Sequence, residues 1–99
     1  MVNNQKILYK FIQTNKNVDW YSISYEYTLS ENFIREFEDE VDWREISYYQ
    51  ELSENFISEF QDKVNYDYVL YYQNLSANSK IKLIGFIYQN IKLYQEISK

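Results

Sequence analysis

Five carboxylates fall within seven residues, at Glu36, Glu38, Asp39, Glu40 and Asp42 of the stretch REFEDEVDWRE, and Glu45 closes it. Bunched carboxylates permit three kinds of chemistry. They can hold calcium or magnesium, but this spacing is not that of an EF-hand and the chain has no histidine to add. A pair can do acid–base work, which needs a cleft that raises one pKa, and nothing in the sequence announces such a cleft. An exposed run of negative charge can also imitate a run of phosphates and attract the Lys and Arg of a nucleic-acid groove on another protein. The composition favours the third of these, which stands beside the plainer reading of a solvated helix end with Asp42 as an N-cap. Without His or Cys, the usual general base, the thiolate nucleophile and most zinc sites are missing. One glycine cannot build a phosphate-cradling loop. The expectation is a non-enzyme with no catalytic residue, no cofactor and no metal.

Beside the carboxylates stand Tyr21, Tyr25, Tyr48 and Tyr49, four of 12 tyrosines. Abundant Tyr, Asn, Lys and Ile follow from AT-rich codon usage, yet a small domain cannot bury twelve rings, and exposed tyrosine is enriched in protein interfaces. The candidate partner-binding set is therefore Tyr21, Tyr25, Glu36, Glu38, Asp39, Glu40, Asp42, Glu45, Tyr48 and Tyr49.

What must position these residues is a repeated element. Residues 18–40 (VDWYSISYEYTLSENFIREFEDE) and 41–63 (VDWREISYYQELSENFISEFQDK) are identical at 15 of 23 positions. A third copy starts at Val64 and departs after Asn78, so its nominal span is 64–86. A fixed period of this length is the mark of one supersecondary unit stacked on itself. Asp42, with Glu45 three positions on, predicts a first helix from Trp43, whose stripe is Trp43, Ile46, Ser47 and Gln50. Ser53 predicts the N-cap of a second helix, with Glu54 favoured by the helix dipole and Phe56, Phe60 and Val64 facing inward with Ile57. Helices this short are unstable alone, so stacking is compulsory. The expected core joins Trp20, Trp43 and Tyr66 with Ile23, Ile46 and Val69, with Leu29, Leu52 and Leu75, and with Phe33, Phe37, Phe56 and Phe60. Positions that differ between copies, among them Arg35, Arg44, Gln61, Asp67, Tyr68 and Tyr72, are expected to be free for function.

Ninety-nine residues suit one domain, 1–99, and the absence of proline favours an all-α class. The expected architecture is a stack of short αα-hairpin repeats of period 23, capped by an N-terminal helix and closed by a longer C-terminal one. The cap, within residues 1–17, runs from Asn3 to about Thr14 with Ile7, Leu8, Phe11 and Ile12 inward. The last helix spans 78–98, capped by Ser76 or Asn78, with Ile81, Ile84, Tyr88, Ile91, Tyr94 or Gln95, and Ile97 or Ser98 in period. Gly85 is expected to mark a close crossing, a kink or a break. Residues 18–63 carry a net charge of −10 between ends of +3 and +2. A partner for the middle should be basic, and split basic ends disfavour direct binding of nucleic acid. No signal sequence or membrane span is expected, which suits a cytoplasmic chain.

The pattern W-x-x-I-S…L-S-E-N-F-I-x-E-F, standing from Trp20 and again from Trp43, resembles a short repeat of proteins from phages and large DNA viruses. The likeness covers about two-thirds of the chain and brings no catalytic residues with it. It departs at Tyr27, where the other copies have Gln50 and Gln73, and after Asn78. What it implies is a viral origin, and hence an inhibitor of host defence, an anti-CRISPR protein being one such class. Such a protein would set its acidic, tyrosine-rimmed face in the basic groove of a CRISPR effector in the host cytoplasm. The alternative is a self-assembling structural or adaptor repeat, for which a homodimer is compatible.

Overall fold

The computed structural model describes residues 5–97, without the side chains of Tyr94 and Ile97; the expected helix ends at Asn3 and Ser98 lie outside them. The described residues form seven helices and no strand: α1 Gln5–Thr14, α2 Trp20–Glu26, α3 Glu31–Glu36, α4 Trp43–Tyr49, α5 Glu54–Glu59, α6 Tyr66–Tyr72 and α7 Ala77–Ile97. None is long and apolar enough to cross a membrane.

Side-chain caps start the short helices. Asp19, Ser30, Asp42, Ser53 and Asn65 accept from the amides of Ser22, Phe33, Arg44 with Glu45, Phe56 and Tyr68. The expected reciprocal arm from Glu45 is replaced by a longer link, because the Asp42 N–H donates to Ser24 Oγ at 2.9 Å and Asn65 N–H to Ser47 Oγ at the same distance. Those serines, both fully buried, also donate to the carbonyls of Trp20 and Trp43. They are relays as well as small residues that admit a neighbour.

Further polar links join successive helix pairs. Gln50 Oε1 accepts from Leu29 N–H, and its Nε2 donates to Ser24 O and Tyr27 O; Gln73 makes the same set with Leu52, Ser47 and Gln50. Glu31 accepts from Ser53 N–H, Glu54 from Ser76 N–H, and Gln5 of α1 takes the corresponding place against Ser30 N–H. Glu31 and Glu54 thus serve the next helix start as well as their own. Among the described residues no buried side-chain polar atom lacks a partner.

Apolar contacts fill the space between. Ile23, Ile46, Val69, Phe33, Phe56, Ile34, Ile57, Leu29 and Leu52 are buried, and Trp20, Trp43 and Tyr66 lie half-buried at the edge. The Trp20 ring sits 5.0 Å from Phe37 and Trp43 5.1 Å from Phe60. Extents of 48 × 32 × 17 Å and a radius of gyration of 15.4 Å describe an elongated slab, since a compact chain of this length has about 13 Å.

Both terminal helices differ from expectation. On α1, Leu8 is buried and Ile12 packs on the core, but Ile7 is 67% and Phe11 47% exposed, and Tyr9 packs instead, 5.1 Å from the Phe33 ring. The helix meets α3 through the face that carries Tyr9, whose ring lies against both Phe33 and Phe37. On α7 the inward residues are Leu83 and Ile87, an i, i+4 pair, while Ile81, Ile84, Tyr88 and Ile91 are all more than half exposed. The helical period is present, but it faces out. Gly85 marks neither a break nor a crossing inside the chain: α7 runs through it, and an added Cβ would meet nothing within 4 Å.

Candidate protein-binding face

Phe37 ends α3, and its carbonyl accepts from the amides of Glu40 and Val41, so the chain turns tightly through Glu38, Asp39 and Glu40. Trp43 Nε1 donates to Glu38 O at 2.8 Å and fixes this turn to α4. The turn throws its carboxylates outward, but they are not equivalent. Lys63 Nζ lies 3.2 Å from Asp39 Oδ1 and 3.4 Å from Glu38 Oε1, and the Asp39 carboxylate leads in raising the lysine pKa. Asp42 is spent on capping α4. Glu36 lies near the Tyr9 hydroxyl, whose pKa is raised first by burial and then by this carboxylate. Glu40 is exposed, and Asp39 keeps a side chain 87% exposed despite Lys63.

Asp19, Glu36, Asp39 and Glu40 line an open hollow of about 820 Å3 together with the apolar Ile12, Val18, Trp20 and Phe37 and with Lys16. A hollow lined by apolar side chains and by four carboxylates, of which Asp19 also caps α2, suits a cationic side chain with an aliphatic stem, a lysine or arginine. Among the described residues no group of three or more His, Cys, Asp and Glu is placed to hold a metal ion.

The tyrosines form a separate row across the first helices. Tyr21 meets Tyr25 at 5.0 Å between ring centroids, Tyr25 meets Tyr49 at 5.7 Å, and Tyr49 meets Tyr48 at 4.5 Å. Tyr48 continues to Tyr68 at 5.0 Å and Tyr72 at 4.4 Å, and Tyr72 touches Tyr71, which is 82% exposed. Neighbours raise several hydroxyl pKa values: Tyr25 chiefly through Glu26, Tyr72 chiefly through Tyr48, and Tyr49 by desolvation with Tyr48 and Glu45 following. Glu45 thus belongs to the row, as does Glu26, which accepts from the Tyr25 hydroxyl at 3.1 Å, whereas Glu36, Asp39 and Glu40 belong to the hollow.

Two residues expected to be free for function are engaged. Arg35 pairs with Glu59 at 3.0 Å and lies over the Phe56 ring, and Arg44 Nη2 donates to Tyr68 Oη at 3.0 Å. Both reach one helix pair onward. Tyr71 was missed, although the sequence carries its signal: Tyr25, Tyr48 and Tyr71 stand 23 residues apart. Comparison with known protein families, with curated proteins and with solved structures yields no match.

Proposed function

We propose that this chain is a non-enzymatic, protein-binding inhibitor of a host defence system, of the anti-CRISPR kind, which engages a basic nucleic-acid-binding groove. Its scaffold on this reading is one stack of 23-residue αα-hairpin units, 18–40, 41–63 and 64–86, with α1 as the cap and α7 as the lengthened second helix of the last unit. The recurrence of the glutamine hooks and serine relays at that spacing supports the scaffold.

The observation that carries the function is the hollow walled by Glu36, Asp39 and Glu40. A groove lysine or arginine entering it would exchange phosphate oxygens for carboxylate oxygens, and the tyrosine row would supply rigid aromatic contact at small entropic cost. An adaptor that docks on another host or viral protein is the second reading. It is favoured by the Lys63 ion pairs, which mask two of the clustered charges.

The test is inhibition of a panel of guide-loaded CRISPR nucleases as ionic strength is raised from about 0.05 to about 0.3 M. Inhibition should weaken steeply with salt and be relieved by competing nucleic acid. The triple variant Glu36→Lys, Asp39→Lys, Glu40→Lys should abolish it with an unchanged helical spectrum. Inhibition that survives this reversal refutes the acidic mechanism.

A further inference from the structure

We infer that α7 pairs with α7 of a second copy of this chain, antiparallel, through the stripe Ile81, Ile84, Tyr88 and Ile91. This stands independently of the inhibitor reading. At 100° per residue the four positions share an arc of about 80°. All are exposed, by 67%, 53%, 63% and 52%, although Leu83 and Ile87 on the adjoining face already satisfy the chain's own core. The spacing of three, four and three residues is that of alternating a and d positions, which fit the side of another helix. It is a second, separate apolar seam on one helix.

Three observations select a copy of the same chain as the occupant. First, the spacing is palindromic about Phe86: crossing two copies antiparallel there sets Ile81 against Ile91 and Ile84 against Tyr88, the self-complementarity a two-fold interface requires. Second, the chain's one glycine flanks the stripe beside that crossing point. Gly85 lowers helix stability, and its own fold makes no use of the space it leaves, since nothing lies within 4 Å of an added Cβ. A partner backbone approaching at the crossing would use it. Third, Lys80 and Lys92 sit on opposite flanks of the stripe, and antiparallel pairing brings like flanks together, so these lysines do not meet. Each helix start also lies near the other's end, where the dipoles attract. The four side chains expose about 500 Å2 per chain, so pairing removes on the order of 1,000 Å2, near the lower edge of specific interfaces and consistent with a micromolar dimer.

Sedimentation equilibrium of the full chain up to about 100 µM tests this. The expected result is a monomer–dimer equilibrium that Ile84→Glu with Ile91→Glu shifts at least tenfold towards monomer, with the helical spectrum retained because both side chains are exposed. The chain has no cysteine, so mixing Ile81→Cys with Ile91→Cys chains should give the mixed disulfide in preference to either symmetric one. A wild-type monomer at the highest concentration overturns the proposal. So does a dimer that the double variant leaves intact, or a preference for symmetric disulfides. A monomer that binds phosphatidylserine vesicles through the same four residues overturns it too, and assigns the stripe to a lipid surface. None of these outcomes touches the hollow, so inhibition is judged separately.

Discussion

Gln50 offers the sharpest test of how the helix pairs are joined. Its side chain is 3% exposed, and its amide holds three backbone groups of the preceding pair: Leu29 N–H at 2.9 Å, Ser24 O at 2.8 Å and Tyr27 O at 2.7 Å. Gln50→Leu keeps the volume and strands all three. A buried polar group left unpaired costs about 1–3 kcal/mol, and partial access of water at the edge brings the sum to about 3–5 kcal/mol. In a domain of this size each 1 kcal/mol moves Tm by about 4–8 °C, so a fall of at least about 12 °C is expected. Gln73→Leu, which breaks the same three bonds one pair on, should cost a similar amount. Gln50→Glu adds a pH readout. It keeps the acceptor but aims a carboxylate oxygen at two carbonyls, so its folded-state pKa lies above the unfolded value of about 4.3. A raised pKa means stability present at low pH and lost as pH rises, so the gap to wild type should narrow near pH 4 and widen at neutrality. Urea unfolding followed by circular dichroism measures both effects. A cost below about 1 kcal/mol for Gln50→Leu, or a pH-independent penalty for Gln50→Glu, would refute the reasoning.

Trp43→Ala removes ring contacts to Phe56 and Phe60 and should cost about 3 kcal/mol. Trp43→Phe keeps an aromatic ring, loses the Nε1 bond to Glu38 O and should cost about 1 kcal/mol, both read from urea midpoints. In a pH series of thermal melts, Tyr9, Tyr25, Tyr49, Tyr66 and Tyr72, all raised above 10.0, favour the fold while neutral, so stability should fall as pH climbs past 10; a plateau to pH 11.5 or so would contradict this. Asp19 and Glu54 run the other way. Lowered by their bonds to Ser22 and Ser76, they stabilise above about pH 4 and lose that contribution as acid protonates them.

The helices and the core were legible because their signals are local or recur. Asp42 and Ser53 announce helix starts within a few residues, and Ile23, Ile46 and Val69, like Phe33 and Phe56, are inward for the same steric reason. The ends of the chain were less legible, since burial there depends on what lies alongside. Ile7 and Phe11 have the pattern of an inward face and yet stay largely exposed, and the period of α7 said that one face was apolar without saying which face met the core. The candidate site was legible as composition only. That Lys63 compensates Glu38 and Asp39 is a fact of contact between residues far apart in sequence, whereas the Asp42 cap and the place of Tyr71 beside Tyr72 are local.

The variable positions carry a lesson of their own. Identity between copies separates shared packing from everything else, and it is tempting to assign everything else to function. Yet Arg35 reaches Glu59, Arg44 reaches Tyr68 and Lys63 reaches Glu38 and Asp39, each across 24 or 25 residues. These contacts exist only between particular pairs of units. Surface contacts of this kind add at most about 1 kcal/mol each, but they are a means of fixing which unit follows which, something identical hooks cannot do. Once they are set aside, the residues left for the proposed partner are few: the shared Glu36 and Asp39 with the variable Glu40 at the hollow, Glu45, and the tyrosine row. On the proposed reading, a protein with twelve tyrosines and fifteen carboxylates reduces to a binding surface small enough to test by single substitution, because its scaffold uses much of the rest to hold itself in order.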